Sequence, residues 1–236
     1  MNSSRRHYLT AAAIFIAAGW LANAVVLPPS PTRAAPAAIP ATALWWNWLG
    51  GLRPLGANFA WLQLQGTWAR GDVAGSVALI RLATGFQPES LYFWAGGVRM
   101  LAFDLRSRSQ PGADDAALRR AAGQLLEEAR GWHEDNPHYW IERAGVELHA
   151  FGDVGSAGES YRRAALLPGA PYHAARLHAQ LLVRQGRLQE AHDWLRRLQP
   201  TLPPDDPRAQ AELVGRRIRQ LERLLGRPAD EPQDEL

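Results

Sequence analysis

His133, Glu134, Asp135 and His138 form the densest group of side chains able to bind a metal or move a proton. Two histidines that chelate from one helix must share its face, which needs a spacing of about three or four residues. These stand five apart, and Asn136-Pro137 interrupts any helix between them, so the group reads as a polar loop. His173 and His178 fail by the same spacing. Gly152, Gly155 and Gly158 follow no strand and lack dinucleotide-binding spacing, and Gly50-Gly51 is not followed by the Gly-Lys-Ser or Gly-Lys-Thr of a phosphate loop. Ser76, Ser90, Ser156 and Ser160 sit in no nucleophile elbow. The chain has no cysteine, which removes thiolate ligands and thiol nucleophiles. The expectation is a protein that is not an enzyme, with no cofactor, no metal and no small-molecule substrate.

Charge narrows the classes further. All 26 basic residues are arginine, the formal net charge is +3, and Arg216, Arg217, Arg219, Arg223 and Arg227 crowd together before Asp230, Glu231, Asp234 and Glu235. Nucleic-acid binding requires more than charge: no aromatic-and-basic stripe, helix-turn-helix or RNA-binding signature accompanies these arginines, so no nucleic-acid partner is expected. The hydrophobic content of 47% is enough for a real core.

The elements that must position any surface are set by a repeat. Gly152 and Gly186 are 34 residues apart, and the same offset pairs Gly145 with Ala179, Leu148 with Leu182, Ala157 with Ala191 and Tyr161 with Leu195. The small pair Gly145 with Ala157, and then Ala179 with Ala191, lets antiparallel helices approach, and a large residue, Tyr161 and then Leu195, fills the space beside them. Gly152-Asp153 and Gly186-Arg187 are the expected turns, because the residue after a helix end commonly needs positive φ. This pattern resembles the tetratricopeptide repeat family. Carried upstream, Gly71-Asp72 becomes a turn between helices over 57–70 and 73–85. Pro88 then opens the next unit, with Trp94 at the family's tryptophan position. A polar insertion over 106–113 follows, and Asp114 is expected to cap a helix through Leu118, Ala122, Leu125, Leu126, Ala129 and Trp132. The 81 residues from Gly71 to Gly152 equal two periods with 13 left for the insertion. The resemblance implies an all-α, right-handed solenoid of about four helix-hairpin repeats. Asp206 and Pro207 are expected to start a capping helix whose apolar face carries Leu213, Val214, Ile218, Leu221, Leu224 and Leu225.

Upstream of the repeats the chain reads as a membrane anchor. Residues 1–7 form a basic tip with Arg5, Arg6 and His7, and residues 8–27 are uncharged, including Tyr8, Ile14, Phe15, Trp20 and Leu27. Twenty residues as a helix span about 30 Å, the thickness of a bilayer core. The flanking arginines place the N-terminus in the cytoplasm and the rest across the membrane. Two features point instead to export: Ala22-Asn23-Ala24 has the small-x-small form of a cleavage site, and Ser4-Arg5-Arg6-His7-Tyr8-Leu9 resembles a twin-arginine signal. Residues 28–43 are a proline- and alanine-rich spacer, 44–56 a tryptophan-rich capping or interfacial segment, 57–226 the repeat domain, and 227–236 an acidic tail with too little apolar surface to order itself. Trp45, Trp46 and Trp48 cannot share one helix face; they are expected to cover the open first face of the repeats.

The run LGGLRPLGANFAWL over 49–62, continuing through Arg70-Gly71-Asp72 and Leu91-Tyr92-Phe93-Trp94, is similar to bacterial membrane-anchored tetratricopeptide proteins. That resemblance implies a single-pass protein of the bacterial inner membrane, its lipid bilayer contact at the anchor and its repeats in the periplasm. The family's groove positions fall on Trp61, Gln65, Tyr92, Arg99, Tyr139, Glu142, His149, His173, Arg176, Gln180 and Arg184. Aromatics and arginines there suit a peptide bearing carboxylates, with Arg99, Arg176 and Arg184 pairing and Tyr139 as apolar anchor. The leading expectation is a scaffold for protein partners in assembly of an envelope or pilus-like machine. The alternatives are an exported soluble peptide-binding module after cleavage at Ala24, or an accessory subunit of an enzyme.

Overall fold

The computed structural model describes residues 52–104 and 113–226. They contain nine α-helices and no strand, so the fold is all-α over the described residues. The chain divides into two compact units at Trp132/His133. The expected basic tip, the expected 8–27 anchor, the expected spacer, Trp45, Trp46, Trp48 and the expected 227–236 tail lie outside the described residues.

The first unit opens with α1 (Arg53–Ala69), four residues earlier than the repeat spacing predicts, because Pro54 sits in its first turn, where a missing N–H costs nothing. Ala57, Ala60, Leu64 and Thr67 form its buried stripe. Gly71 at φ +70° reverses the chain. Asp72 then caps α2 (Val73–Phe86) by accepting a 2.9 Å hydrogen bond from Gly75 N–H. α3 (Leu91–Arg99) runs on into a π-helical turn, Met100–Asp104. Gly97 lets α3 lie against α2, since a Cβ there would come 2.5 Å from Ile80 Cγ2 and 3.2 Å from Leu125 Cδ2. α4 (Ala113–His133) starts one residue before Asp114, which therefore lies inside the first turn instead of capping it. Its predicted inward residues Leu118, Ala122, Leu125, Leu126 and Ala129 are all buried, while Trp132 stays partly exposed.

In the second unit, Asn136 caps α5 (Pro137–Val146) by accepting from His138 N–H at 3.0 Å, and the helix again ends in a π-helical turn, Glu147–Phe151. Gly152 at φ +73° and the Asp153 cap lead into α6 (Val154–Leu166). α7 (Tyr172–Arg184) and α8 (Leu188–Leu198) follow, joined at Gly186 with φ +75°. A 3₁₀ turn (Gln199–Thr201) and a loop lead to α9 (Ala211–Leu224). Each helix packs on its neighbour in sequence, α5 on α6, α6 on α7, α7 on α8 and α8 on α9. One core cluster joins Ala144, Ala157, Tyr161 and Leu181, and a larger one joins Ala179, Leu182, Ala191, Leu195, Leu202, Ala209, Val214, Ile218 and Leu221. Full burial of each Leu, Ile or Val there is worth about 1.5–3 kcal/mol, which holds α9 over the open side of α8.

The last helix corrects the expected start at Asp206-Pro207. Asp206 accepts from Arg208 N–H at 2.9 Å and from Arg208 Nε at 3.0 Å, which closes a turn two residues on and delays the helix to Ala211. Gln210 carries the left-handed backbone, φ +51°, at that junction.

The π-turn of α5 corrects the repeat register. A π-turn holds one more residue than the α-turn it replaces, so the 34-residue offset applies only after it. Before it the offset is 35: Ala144, fully buried, matches Ala179, and buried Tyr139 and Trp140 match buried Ala174 and Ala175. Gly145, expected at the helix contact, is displaced from it, and a Cβ there would meet nothing within 4 Å.

Candidate functional site

The same shift decides where the expected groove residues lie. Tyr139 is 1% exposed; its hydroxyl accepts from Arg143 at 3.2 Å and its ring packs edge-on to Trp140 and stacks on His133. It is a core residue and not an apolar anchor for a ligand, because the extra residue of the π-turn rotates it inward. His138 takes the outward place and corresponds, at offset 35, to exposed His173. Glu142 is half-buried and raises the Tyr161 pKa, although burial of that phenol is the larger cause. His149 is exposed in the π-turn, and Arg184 is exposed at the last turn of α7.

In the first unit, Trp61 is half-buried with Phe93 and Tyr92 ring centroids at 5.4 and 5.6 Å, and Tyr92 is open to solvent. Gln65 and Arg99 are exposed. These residues form an aromatic surface on α1 and α3 with polar neighbours. Leu55, Phe59 and Leu62 of α1 are also exposed apolar residues, which the repeat spacing did not single out.

The concave feature with the clearest chemistry is in the second unit, a cleft of about 570 Å³ between α7 and α9. From α7 come His173, Arg176 and Gln180, whose i, i+3, i+7 spacing puts them on one face. From α9 come Arg216, Arg217, Gln220 and Arg223, with exposed Leu213 and buried Val214 beside them. Leu177 and Val183 give the α7 wall an apolar strip. Three sequence-predicted residues therefore converge here, while Arg184 does not reach the cleft.

Four arginines line this cleft and no carboxylate does. Arg216 has only a loose 3.7 Å pairing with Glu212, both side chains being open to solvent, and Arg217 donates to Gln220 Oε1 at 2.7 Å. Arg176 is partly committed: its guanidinium donates to the Ala209 carbonyl at 2.9 Å and to that of Arg208 at 3.3 Å, which pins the loop before α9. Burial lowers the pKa of Arg176, and burial, then Arg176, then His138 lower that of His173. The cleft thus presents guanidinium groups over an apolar strip, an arrangement able to hold a carboxylate or phosphate beside a hydrophobic group.

Its walls are held by polar contacts elsewhere. Glu222 of α9, almost fully buried, accepts from Arg196 at 2.6 Å and stands 3.3 Å from His192 Nε2, tying α9 to α8. A second depression of about 450 Å³ between α6 and α8 is rich in charge, but Arg162–Glu159 at 2.8 Å and Arg187–Glu190 at 2.6 Å neutralise one another. Among the described residues, no group of three or more histidine, aspartate or glutamate side chains is arranged to hold a metal ion, and no helix is long and apolar enough to cross a membrane.

Sequence reasoning did not count Arg216, Arg217 and Arg223 among the groove residues. The signal was present in Leu213, Arg216, Gln220 and Arg223, which share a helix face beside the core stripe. No protein-family model matches this sequence, and comparison with curated proteins gives no match.

Proposed function

We propose that this chain is a membrane-anchored scaffold of tetratricopeptide-like helical hairpins that holds protein partners on the extracytoplasmic side of a bacterial inner membrane, in assembly of an envelope complex. The observation that carries the binding part is the α7–α9 cleft, with four arginines, an apolar strip and no lining acid. Such a surface suits a peptide segment with carboxylates next to one aliphatic side chain. The guanidinium forks pair with the carboxylates, and the strip takes the aliphatic group. Left-handed glycines at Gly71, Gly152 and Gly186, each between antiparallel helices, support the helical-hairpin reading. The uncharged 8–27 run after Arg5 and Arg6 supports the anchor.

Two measurements test the two parts. Alkaline carbonate washing should leave the full-length chain in the membrane pellet, and a soluble product beginning at Val25 would end the anchor reading. A peptide array in which acidic residues flank a single leucine should bind the full chain and lose binding to an Arg216→Glu, Arg217→Glu double variant. Binding should weaken as salt rises. Binding that is indifferent to both the variant and salt would remove the cleft from the reading.

A further inference from the structure

We infer that the α7–α9 cleft is the docking site of the chain's own acidic segment, residues 227–236, which competes there with an external partner. This rests on the reading of the cleft as an acidic-peptide site. Three observations lead to it.

The first is charge. The cleft gathers Arg176, Arg216, Arg217 and Arg223 without a lining acid, and the segment that follows α9 carries Asp230, Glu231, Asp234 and Glu235. Arg227 offsets one of these carboxylates, so the segment keeps a side-chain excess of three negative charges against the four arginines of the cleft.

The second is reach. Gly226 ends α9 at φ +68°, the left-handed conformation that turns a chain away from the helix axis. Arg223 and Arg216 lie three and ten residues before it, about 5 and 15 Å back along the helix at 1.5 Å per residue. Asp230 and Asp234 lie four and eight residues after it, within about 13 and 26 Å at 3.3 Å per extended residue. Neither acidic pair is too far from the arginines of the helix it follows.

The third is spacing. The two acidic pairs are four residues apart, about 13 Å in an extended chain, and the arginines at the two ends of the α9 wall are seven helical residues apart, about 10 Å. Pro228 and Pro232 each have a ring-fixed φ, so fewer backbone torsions remain to be frozen on docking. Because the segment is tethered, its effective concentration at the cleft is in the millimolar range for a short linker. A partner must displace it, so the tail sets a threshold for binding.

The test uses the full chain in an uncharged detergent and a fluorescein-labelled synthetic peptide with the sequence of residues 227–236, followed by anisotropy at low salt. In one full-length variant the tail is neutralised by Asp230→Asn, Glu231→Gln, Asp234→Asn and Glu235→Gln. The peptide should bind this variant roughly tenfold or more tightly than the unaltered chain, because the tethered competitor is gone. Adding Arg217→Glu and Arg223→Glu, both on exposed positions, should abolish that binding while the circular dichroism melting curve stays unchanged. Equal affinity for the neutralised and unaltered chains, still lost with the arginine changes, overturns internal docking and leaves the cleft as an acidic-peptide site. Absence of binding to either form, or binding untouched by the arginine changes, overturns the cleft reading as well.

Discussion

Ser160 donates its hydroxyl to the Glu147 carboxylate at 2.6 Å, from the second helix of a hairpin to the π-turn that ends the first. The other oxygen of Glu147 accepts from Arg143 Nε at 2.8 Å, so a carboxylate that is almost fully buried has both oxygens satisfied. This contact holds the π-turn against α6, and the π-turn sets the register of α5 before it.

Removing the acid should therefore cost more than a surface pair would. Glu147→Ala removes the carboxylate that Arg143 Nε and Ser160 share in a largely buried place, and a loss of about 3 kcal/mol is expected from the cost of breaking such pairs. Glu147→Gln keeps a hydrogen-bonding side chain and should lose about 1 kcal/mol. Urea denaturation of the full chain separates the two; equal midpoints for Glu147→Ala and the unaltered chain would mean that the π-turn does not depend on this carboxylate.

The register shift gives a paired prediction. Ala144 is fully buried against Ala157, Tyr161 and Leu181, so Ala144→Leu must push α5 from α6 and should cost about 1–3 kcal/mol or more. At Gly145 a Cβ meets nothing, and helical Gly145→Ala should be neutral or gain about 0.5–1 kcal/mol. A larger loss at Gly145 than at Ala144 in thermal melts would restore the uninterrupted 34-residue register.

His178 predicts the direction of a pH effect. It is buried, with Nδ1 2.7 Å from the Gly158 carbonyl and its ring edge-on to Trp194. Burial lowers its pKa, outweighing the Gly158 hydrogen bond that raises it. In the unfolded chain the ring titrates near about 6.5. Below that value the unfolded state takes up a proton that the folded state resists, so stability falls as pH drops from neutrality towards the folded pKa. His173 is shifted the same way and adds to the slope. The melting temperature should decline between pH 7.5 and 5.5, and His178→Asn should flatten the decline; an unaltered slope in that variant would exclude His178 as the source.

Arg176 and Arg184 should part company. Arg176→Ala removes the donor to the Ala209 and Arg208 carbonyls and should lower stability by about 1–2 kcal/mol, since Ala209 is fully buried in the core beneath α9. Arg184→Ala, at an exposed site, should change stability by less than about 0.5 kcal/mol. A loss of acidic-peptide binding in Arg184→Ala equal to that in Arg217→Glu would extend the site beyond the cleft.

Much of this architecture is legible in the sequence because it rests on local chemistry. Gly71, Gly152 and Gly186 mark turns because the left-handed backbone excludes most other residues, and Asp72, Asn136 and Asp153 cap helices through bonds spanning two or three residues. The inward residues of α4 follow from helical periodicity alone. What tertiary structure alone decided depends on competition between contacts far apart in the chain. A π-turn at Glu147–Phe151 moved Tyr139 from an expected groove into the core, since its extra residue rotates the preceding helix and no periodicity signals it. The seating of α9 against α7 and α8 likewise assembled Arg176 with Arg216, Arg217 and Arg223, residues roughly forty positions apart or more. No local rule brings such residues together, because only burial of Val214, Ile218 and Leu221 sets the face that α9 turns to the cleft.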